Sequence, residues 1–165
     1  METNDILKNI QSGEPERIAE AVKEIKENGN LSMAQTLLEN LNRIPDAHTV
    51  TLVVDLLADI KENAFREVLI ARIQAETKPA IKAELLRIAW ESSLDYSGYL
   101  PVFLEILKAD DFTVAFEAST VIENTVCNLT AEQHRQLHEY IETFPEDKAF
   151  LIENIHAEMG CCEQD

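Results

Sequence analysis

Two histidines one helical turn apart are the clearest candidates for metal chemistry in this sequence. His134 and His138 occur in the segment AEQHRQLHEY, and residues four positions apart lie on the same side of a helix. Two imidazoles placed in this way can bind one zinc ion if a third ligand, such as Glu139, completes the site. The alternative is an ordinary solvated face. We favour the solvated face and therefore predict no metal and no cofactor.

Three cysteines provide a second kind of reactive side chain. Cys161 and Cys162 are adjacent and follow His156, so these residues could bind a soft metal or act as a redox switch. Adjacent cysteines seldom chelate one ion with both sulfurs, and no basic residue nearby would activate either thiol. We therefore expect free thiols on a flexible tail, residues 161–165. Cys127, at the end of an apolar helical face, is expected to be a small buried hydrophobe.

Acidic side chains recur on the polar faces of several predicted helices. Asp55 and Asp59 lie one turn apart and point away from the apolar stripe of their helix. If such helices line a groove, its excess acid would attract a basic peptide or a basic helical partner. The alternative is again a solvated face. The candidate groove residues are Asp55, Asp59, Glu84, Arg87, Glu91, Glu117 and Asn124.

Motifs of common enzyme classes are missing from the sequence. There is no G-x-S-x-G, no glycine-rich phosphate loop, no H-E-x-x-H and no C-x-x-C. Paired carboxylates could perform acid–base chemistry, but the sequence shows no nucleophile beside them. We therefore predict that the chain is not an enzyme.

The charge of the chain limits the partners that it can bind. Its 31 acidic and 14 basic residues give a formal net charge of −17. Nucleic-acid-binding proteins neutralise phosphates with clustered Lys and Arg, which this chain lacks, and an anionic membrane surface would repel it. No signal peptide and no apolar stretch of roughly 20 residues is recognisable. We expect a cytoplasmic protein that binds neither nucleic acid nor membrane.

Helix start and stop signals divide the chain into ten predicted helices with short links. Thr130 and Gln133 form a T-x-x-Q capping box, and no alternating strand pattern is present. The prediction is one all-α domain over residues 1–160, made of about five antiparallel helical hairpins. After a first helix near residues 4–10, the predicted starts are Pro15, Ser32, Asp46, Asn63, Pro79, Ser97, Asp111, Thr130 and Pro145.

Apolar residues recur at equivalent positions in the second helix of every predicted pair. The five helices are aligned on one anchor residue each, and the fourth and the eighth residue after the anchor are apolar in all five. The seventh is apolar in the inner three and polar in the outer two, Glu24 and Asn154. Stacked repeats bury their inner units on both sides and close their ends with polar faces, so the pattern predicts a solenoid. The anchors of the alignment, 31 to 33 residues apart, are Arg17, Val50, Ile81, Val114 and Asp147.

One segment resembles a known repeat family. Residues 99–125, YLPVFLEILKADDFTVAFEASTVIENT, are similar to a HEAT repeat, which joins a helix of the form LPxLLxLL through a short acidic turn to a helix of the form VRxxAxxxL. Ala115 stands where the family has Arg. The resemblance implies an α-α superhelix whose second helices line the concave face; armadillo-type and other α-α repeats are alternatives. The matching residues are Leu100, Pro101, Phe103, Leu104, Leu107, Asp110, Asp111, Val114, Ala118 and Ile122.

These features together predict an adaptor or scaffold that binds a protein segment, with a basic one favoured, on an acidic concave face. The HEAT-like resemblance implies mostly protein binding, and fold alone does not fix function. Two alternatives remain open at this point. One is a HEAT-like enzyme or metal-binding protein, and the other is an acidic mimic that occupies the nucleic-acid site of another protein.

Overall fold

The computed structural model describes residues 1–109 and 111–162, and within them the chain is helical without a β-strand. The all-α prediction is therefore confirmed. Short 3-10 helices occur at Leu41–Arg43, Ser97–Tyr99, Val126–Asn128 and Glu146–Leu151. The α-helices are α1 Thr3–Gln11, α2 Pro15–Asn28, α3 Leu31–Glu39, α4 Ala47–Ala58, α5 Phe65–Ala75, α6 Pro79–Glu91, α7 Leu100–Leu107, α8 Phe112–Thr125, α9 Ala131–Glu142 and α10 Glu153–Cys162.

Side-chain caps explain where three of these helices begin. The carboxylates of Asp46 and Asp111 each accept a hydrogen bond from the backbone N–H three residues later, at 2.9 and 3.0 Å. Thr130 and Gln133 form the predicted capping box at the start of α9. Each cap satisfies backbone N–H groups that have no acceptor inside the helix, so these predicted starts are confirmed.

Four predicted helix starts are wrong, one of them Ser97, because Ser97–Tyr99 form a 3-10 helix and α7 begins only at Leu100. The side chain of Asn30, rather than that of Ser32, caps α3 by accepting a hydrogen bond from a backbone N–H at 2.9 Å. Helix α5 starts two residues after Asn63 and has no side-chain cap. The last α-helix begins at Glu153 rather than at Pro145, because the residues that follow this proline form a 3-10 helix first.

The even-numbered α-helices contact one another in the order of the chain. In this series, which we call the even row, α2 contacts α4, α4 contacts α6, α6 contacts α8 and α8 contacts α10. Among the odd-numbered helices, α1 contacts α3, and α3 contacts α5. Further contacts join α1 to α2, α5 to α6 and α7 to α8. The acid-bearing helices α4, α6 and α8 are therefore neighbours.

Burial follows the repeating pattern of the sequence. At the seventh position after each anchor, the inner side chains are buried, whereas Glu24 is half-buried and Asn154 is exposed. Except for Ala58, the apolar side chains at the fourth, seventh and eighth positions belong to one core or pack against it, and the removal of this core from water is the main favourable contribution to folding. The side chains four residues after the anchors are all buried: Ala21, Val54, Leu85, Ala118 and Leu151.

Side-chain hydrogen bonds between neighbouring helical pairs connect residues about one repeat apart. Lys61 Nζ donates to Ser93 Oγ at 2.8 Å, across 32 positions of the chain. The hydroxyl of Tyr140 donates to the carbonyl oxygen of Leu104 at 2.7 Å, across 36 positions. The first bond connects the residues that follow α4 and α6, and the second connects α9 to α7.

Candidate binding site

Arg87 is the centre of an acidic cluster on the even row. Its guanidinium lies 2.8 Å from Glu91 Oε1 and 3.7 Å from Glu84 Oε2 on its own helix, α6. It also lies 3.2 Å from Asp55 Oδ1 on α4. Residues three and four positions apart face the same side of a helix, which explains the two contacts within α6. One cation therefore faces three carboxylates.

Glu84 is a carboxylate in an unfavourable environment. Its side chain is 33% exposed, and burial is the main reason that its pKa lies above the ordinary value. Arg87 opposes this shift. The negative charges of Glu117, Glu91 and Asp55 raise the pKa further. Because a raised carboxyl pKa means that the charged form is disfavoured, an additional cation at this position would be stabilising.

Trp90 connects the acidic cluster to α8. Its indole Nε1 donates a hydrogen bond to the carboxylate of Glu117, and its carbonyl oxygen accepts one from Asn124 Nδ2 at 3.0 Å. Both partners lie on α8, so the α6–α8 interface holds Glu117 beside the cluster. Trp90 is also the only tryptophan in the sequence, which makes its fluorescence a specific reporter of this site.

Asp59 is the one predicted groove residue that the structure places elsewhere. It follows the last residue of α4 and is exposed. It lines a separate pocket of about 260 Å³ between α2, α3 and α4, whose walls include Ile25, Leu37 and Leu57. The other predicted residues belong to the acidic cluster or reach it through Trp90. We therefore define the acidic cluster as Asp55, Glu84, Arg87, Glu91 and Glu117.

Three exposed phenylalanines form an apolar patch that the sequence reasoning missed. Phe112 and Phe116 lie one turn apart on α8 with ring centroids 5.9 Å apart, and Phe150 packs on Phe112 at 5.7 Å. The three residues are 57%, 48% and 52% exposed in chain order. Exposed apolar groups that cluster mark interaction sites, whereas scattered ones need no explanation. The available signal was the spacing of two phenylalanines outside the buried face of α8.

His134 and His138 both lie on α9, as the sequence predicts, the first half-buried and the second exposed. In the part of the chain that the structure describes, His134 and His138 do not belong to a group of three His, Cys, Asp or Glu ligand atoms that all lie within 4.8 Å of one another. The ligand atoms that do come together belong instead to Cys127, Glu158 and Cys162.

The expectation for the cysteines is wrong in two respects. Cys127 is exposed rather than buried, and it forms a disulfide with Cys162, with the two Cα atoms 5.5 Å apart. Cys161 and Cys162 form the last turn of α10, since this helix continues through Gly160, and Cys161 is free and exposed. Glycine inside a helix costs only about 1 kcal/mol, which neighbouring contacts readily offset. The remainder of the predicted tail, residues 163–165, lies outside the described residues.

Comparisons with known proteins do not assign this site. No protein-family model, curated protein or solved structure matches the chain significantly. No helix in residues 1–109 and 111–162 is long and apolar enough to cross a membrane. The interpretation therefore rests on the geometry itself, which presents carboxylates, one tryptophan and an apolar patch on neighbouring helices.

Proposed function

We propose that this chain is a non-catalytic adaptor or scaffold that binds a basic protein segment on the exposed face of α4, α6 and α8. The observation that carries the proposal is the acidic cluster, in which one guanidinium faces carboxylates from α4 and α6, with Glu117 of α8 close by. Four carboxylates against one cation leave a formal excess of three negative charges. Lys or Arg side chains of a partner would relieve this excess.

The arrangement of the helices supports a HEAT-like α-α superhelix as the scaffold for this face. Neighbouring helices of the even row contact one another in chain order. Most of the repeated apolar positions are buried, and at the seventh position polar residues occupy both ends. In such a superhelix the second helices of the pairs line one continuous surface, on which an extended or helical segment can lie.

The phenylalanine patch adds an apolar requirement for the partner. Glu117 and Phe116 are consecutive on α8, so their side chains are about 100° apart around the helix axis. One partner segment can therefore contact a carboxylate and an exposed phenyl ring of the same helix. A segment with basic residues and a few large apolar residues fits this surface better than a purely basic segment, because apolar anchors contribute most to such interfaces.

A labelled synthetic peptide tests the proposal directly. We expect a peptide rich in Lys and Arg, with Leu and Phe at helical spacing, to bind, to change Trp90 fluorescence and to bind more weakly as salt is raised. The double variant Asp55→Lys with Glu91→Lys should weaken binding about tenfold or more, because it reverses two charges of the acidic cluster.

A matched control separates the site from the overall charge of the protein. Glu105→Lys with Glu142→Lys makes the same change in net charge at exposed positions of α7 and α9, and it should weaken binding much less. Phe116→Ser should reduce affinity while leaving the salt dependence unchanged. Equal losses in the two double variants would show that the peptide follows net charge only, and the proposed groove would be rejected.

The compartment is part of the same proposal. We propose the cytoplasm, where thiols are kept reduced. In that environment Cys127 and Cys162 would exist mainly as two thiols rather than as the disulfide.

A further inference from the structure

Two pairs of potential metal ligands face each other at the junction of α8 and α10. Glu123 and Cys127 are four positions apart at the end of α8 and in the 3-10 helix that follows, and Glu158 and Cys162 are four positions apart on α10. One turn of α-helix places Glu158 and Cys162 on the same side of α10. The sulfur atoms of Cys127 and Cys162 and a carboxylate oxygen of Glu158 all lie within 4.8 Å of one another.

The charge of this junction points to a cation. Glu123 of α8 and Glu158 of α10 are both half-buried acidic residues. Among the described residues, no Lys or Arg forms a salt bridge with either of them. When the disulfide is reduced, two thiols join two half-buried carboxylates that have no basic partner. A divalent cation would compensate all of these groups at once.

We propose that the reduced protein binds one zinc ion through Cys127, Cys162 and Glu158, with a water molecule as the fourth ligand. Two thiolates, one carboxylate and water suit zinc, which is of intermediate softness and prefers four ligands in a tetrahedron. Calcium and magnesium bind oxygen ligands and would not use the sulfurs. The site is distinct from His134 and His138, and it does not depend on the proposed binding of a basic segment.

The disulfide and the zinc site are alternative states of the same two sulfurs. A dithiol reductant breaks the S–S bond by supplying two electrons and two protons, and it is itself oxidised to a disulfide. Zinc then displaces the two thiol protons. At a Zn–S distance of about 2.3 Å, a tetrahedral ion holds its two sulfurs about 3.8 Å apart. Rotation about the Cα–Cβ bonds can provide this separation while the backbone stays in place.

Both states would hold α10 against the end of α8. The helix contacts α8 and the 3-10 helix that carries Cys127. In oxidising conditions the covalent bond makes this connection, and in reducing conditions the zinc ion makes it instead. The terminal helix thus stays attached in either redox state.

Cobalt(II) provides a spectroscopic test, because thiolate ligands and tetrahedral geometry give it characteristic near-ultraviolet and visible absorption. The full chain is reduced with a phosphine, freed of metal and titrated with Co²⁺ without oxygen. We expect one equivalent to bind with both absorption features and to be displaced by Zn²⁺. The oxidised protein should bind none at this site.

Three variants locate the ion. Cys127→Ser should abolish the tetrahedral spectrum, and Glu158→Gln should weaken Co²⁺ binding about tenfold or more. Cys161→Ser is the matched control and should bind as the wild type does, because Cys161 is exposed and outside the cluster. Glu158→Gln keeps both cysteines, so its oxidised form checks folding independently by circular dichroism.

Two results would overturn the assignment. The first is a reduced wild-type protein that gives no thiolate–cobalt absorption. The second is a loss of Co²⁺ binding in Cys161→Ser as large as the loss in Cys127→Ser, which would show that Cys161 is a ligand.

Discussion

Arg72 and Glu76 form an ion pair across one turn of α5, with Nη2 2.5 Å from Oε2, although the side chain of Glu76 is only 7% exposed. The other carboxylate oxygen of Glu76 accepts hydrogen bonds from the N–H groups of Thr77 and Lys78, at 3.0 and 2.9 Å. Arg72 Nε also donates to the carbonyl oxygen of Leu38 on α3, at 3.3 Å. The pair therefore ends α5 and connects it to α3.

Glu76→Gln should destabilise the protein by about 1–3 kcal/mol at pH 7, because an amide cannot match both the guanidinium and the two N–H groups. Burial alone would raise the pKa of Glu76, but the hydrogen bond from the Lys78 N–H and the interaction with Arg72 have the larger combined effect. The pKa of Glu76 therefore lies below its ordinary value. Its contribution to stability is therefore present above the ordinary glutamate pKa of about 4.3 and is lost as the pH falls through the lowered value. Urea unfolding at several pH values measures this difference.

The control for this experiment is Glu139→Gln. Glu139 also pairs with an arginine four positions away, Arg135, but both side chains are more than half exposed. Exposed pairs contribute little, so this variant should unfold like the wild type. Similar losses in both variants would show that burial of Glu76 is not the cause.

Glu84→Gln should stabilise the protein at pH 7, by about 0.5 kcal/mol, the scale of a surface substitution. Because the pKa of Glu84 is raised in the folded protein, its charged carboxylate opposes folding. Glu84 therefore favours the folded state only at low pH, where the carboxyl group is protonated. This contribution to stability is lost as the pH rises through the raised pKa. Removing the charge should therefore help at neutral pH and have no benefit near pH 4. Thermal unfolding at both pH values measures this change.

Glu91→Gln is the matched comparison, because Glu91 has the closer contact with Arg87, at 2.8 Å. Loss of that contact should lower stability at pH 7 rather than raise it. A gain in both variants would mean that any reduction of negative charge stabilises the protein, whatever its position.

Gly29→Ala should cost about 1–3 kcal/mol, the range of locally strained positions. Gly29 N donates to the Ile25 carbonyl oxygen at 2.9 Å, and a Cβ atom added to Gly29 would lie 2.4 Å from that same oxygen. The end of α2 would have to shift. Denaturant unfolding of Gly29→Ala beside Gly160→Ala measures the effect. A Cβ atom added to Gly160 has no other atom within 4 Å. The stability of Gly160→Ala should therefore equal that of the wild type or exceed it by up to about 1 kcal/mol. Equal losses of stability in the two variants would disprove the steric explanation.

Cys127→Ser should lower the stability of the oxidised protein by about 3–4 kcal/mol, because the disulfide closes a loop across 35 positions and restricts the unfolded chain. Unfolding in a chelator, without reductant, measures the loss free of any metal contribution. Cys161→Ser should behave like the wild type under the same conditions. A loss of the same size in Cys161→Ser would indicate that the pairing is different.

The sequence predicted those features that depend on local chemistry or on the repeat. Asp46 and Asp111 cap their helices through contacts three residues away, and the buried positions recur with the period of the pairs. The acidic cluster also follows from the repeat, because Asp55 and Arg87 are 32 positions apart on neighbouring helices. Features of this kind can be predicted without knowing how distant segments meet.

The features that sequence reasoning missed depend on the exact course of the last helix. The predicted domain ends at residue 160, which leaves Cys162 outside the fold, whereas α10 continues for two more residues and Cys162 pairs with Cys127. Phe150 reaches Phe112 from a 3-10 helix in a segment that the sequence assigned to an α-helix. A small change in where a helix begins or ends redirects its side chains, and composition alone does not determine that choice.

The longest side-chain hydrogen bonds among the described residues span 36 positions of the chain, as between Tyr140 and Leu104, which is about one repeat. Forming them closes only short loops, and the entropy lost on closing a loop increases with its length. Contacts confined to about one repeat are expected to favour fast folding, because little loop-closure entropy is lost before each contact forms. Removing α1 and α2 should therefore leave the contacts between α6 and α8 unchanged, whereas removing α9 and α10 would also remove the disulfide between Cys127 and Cys162.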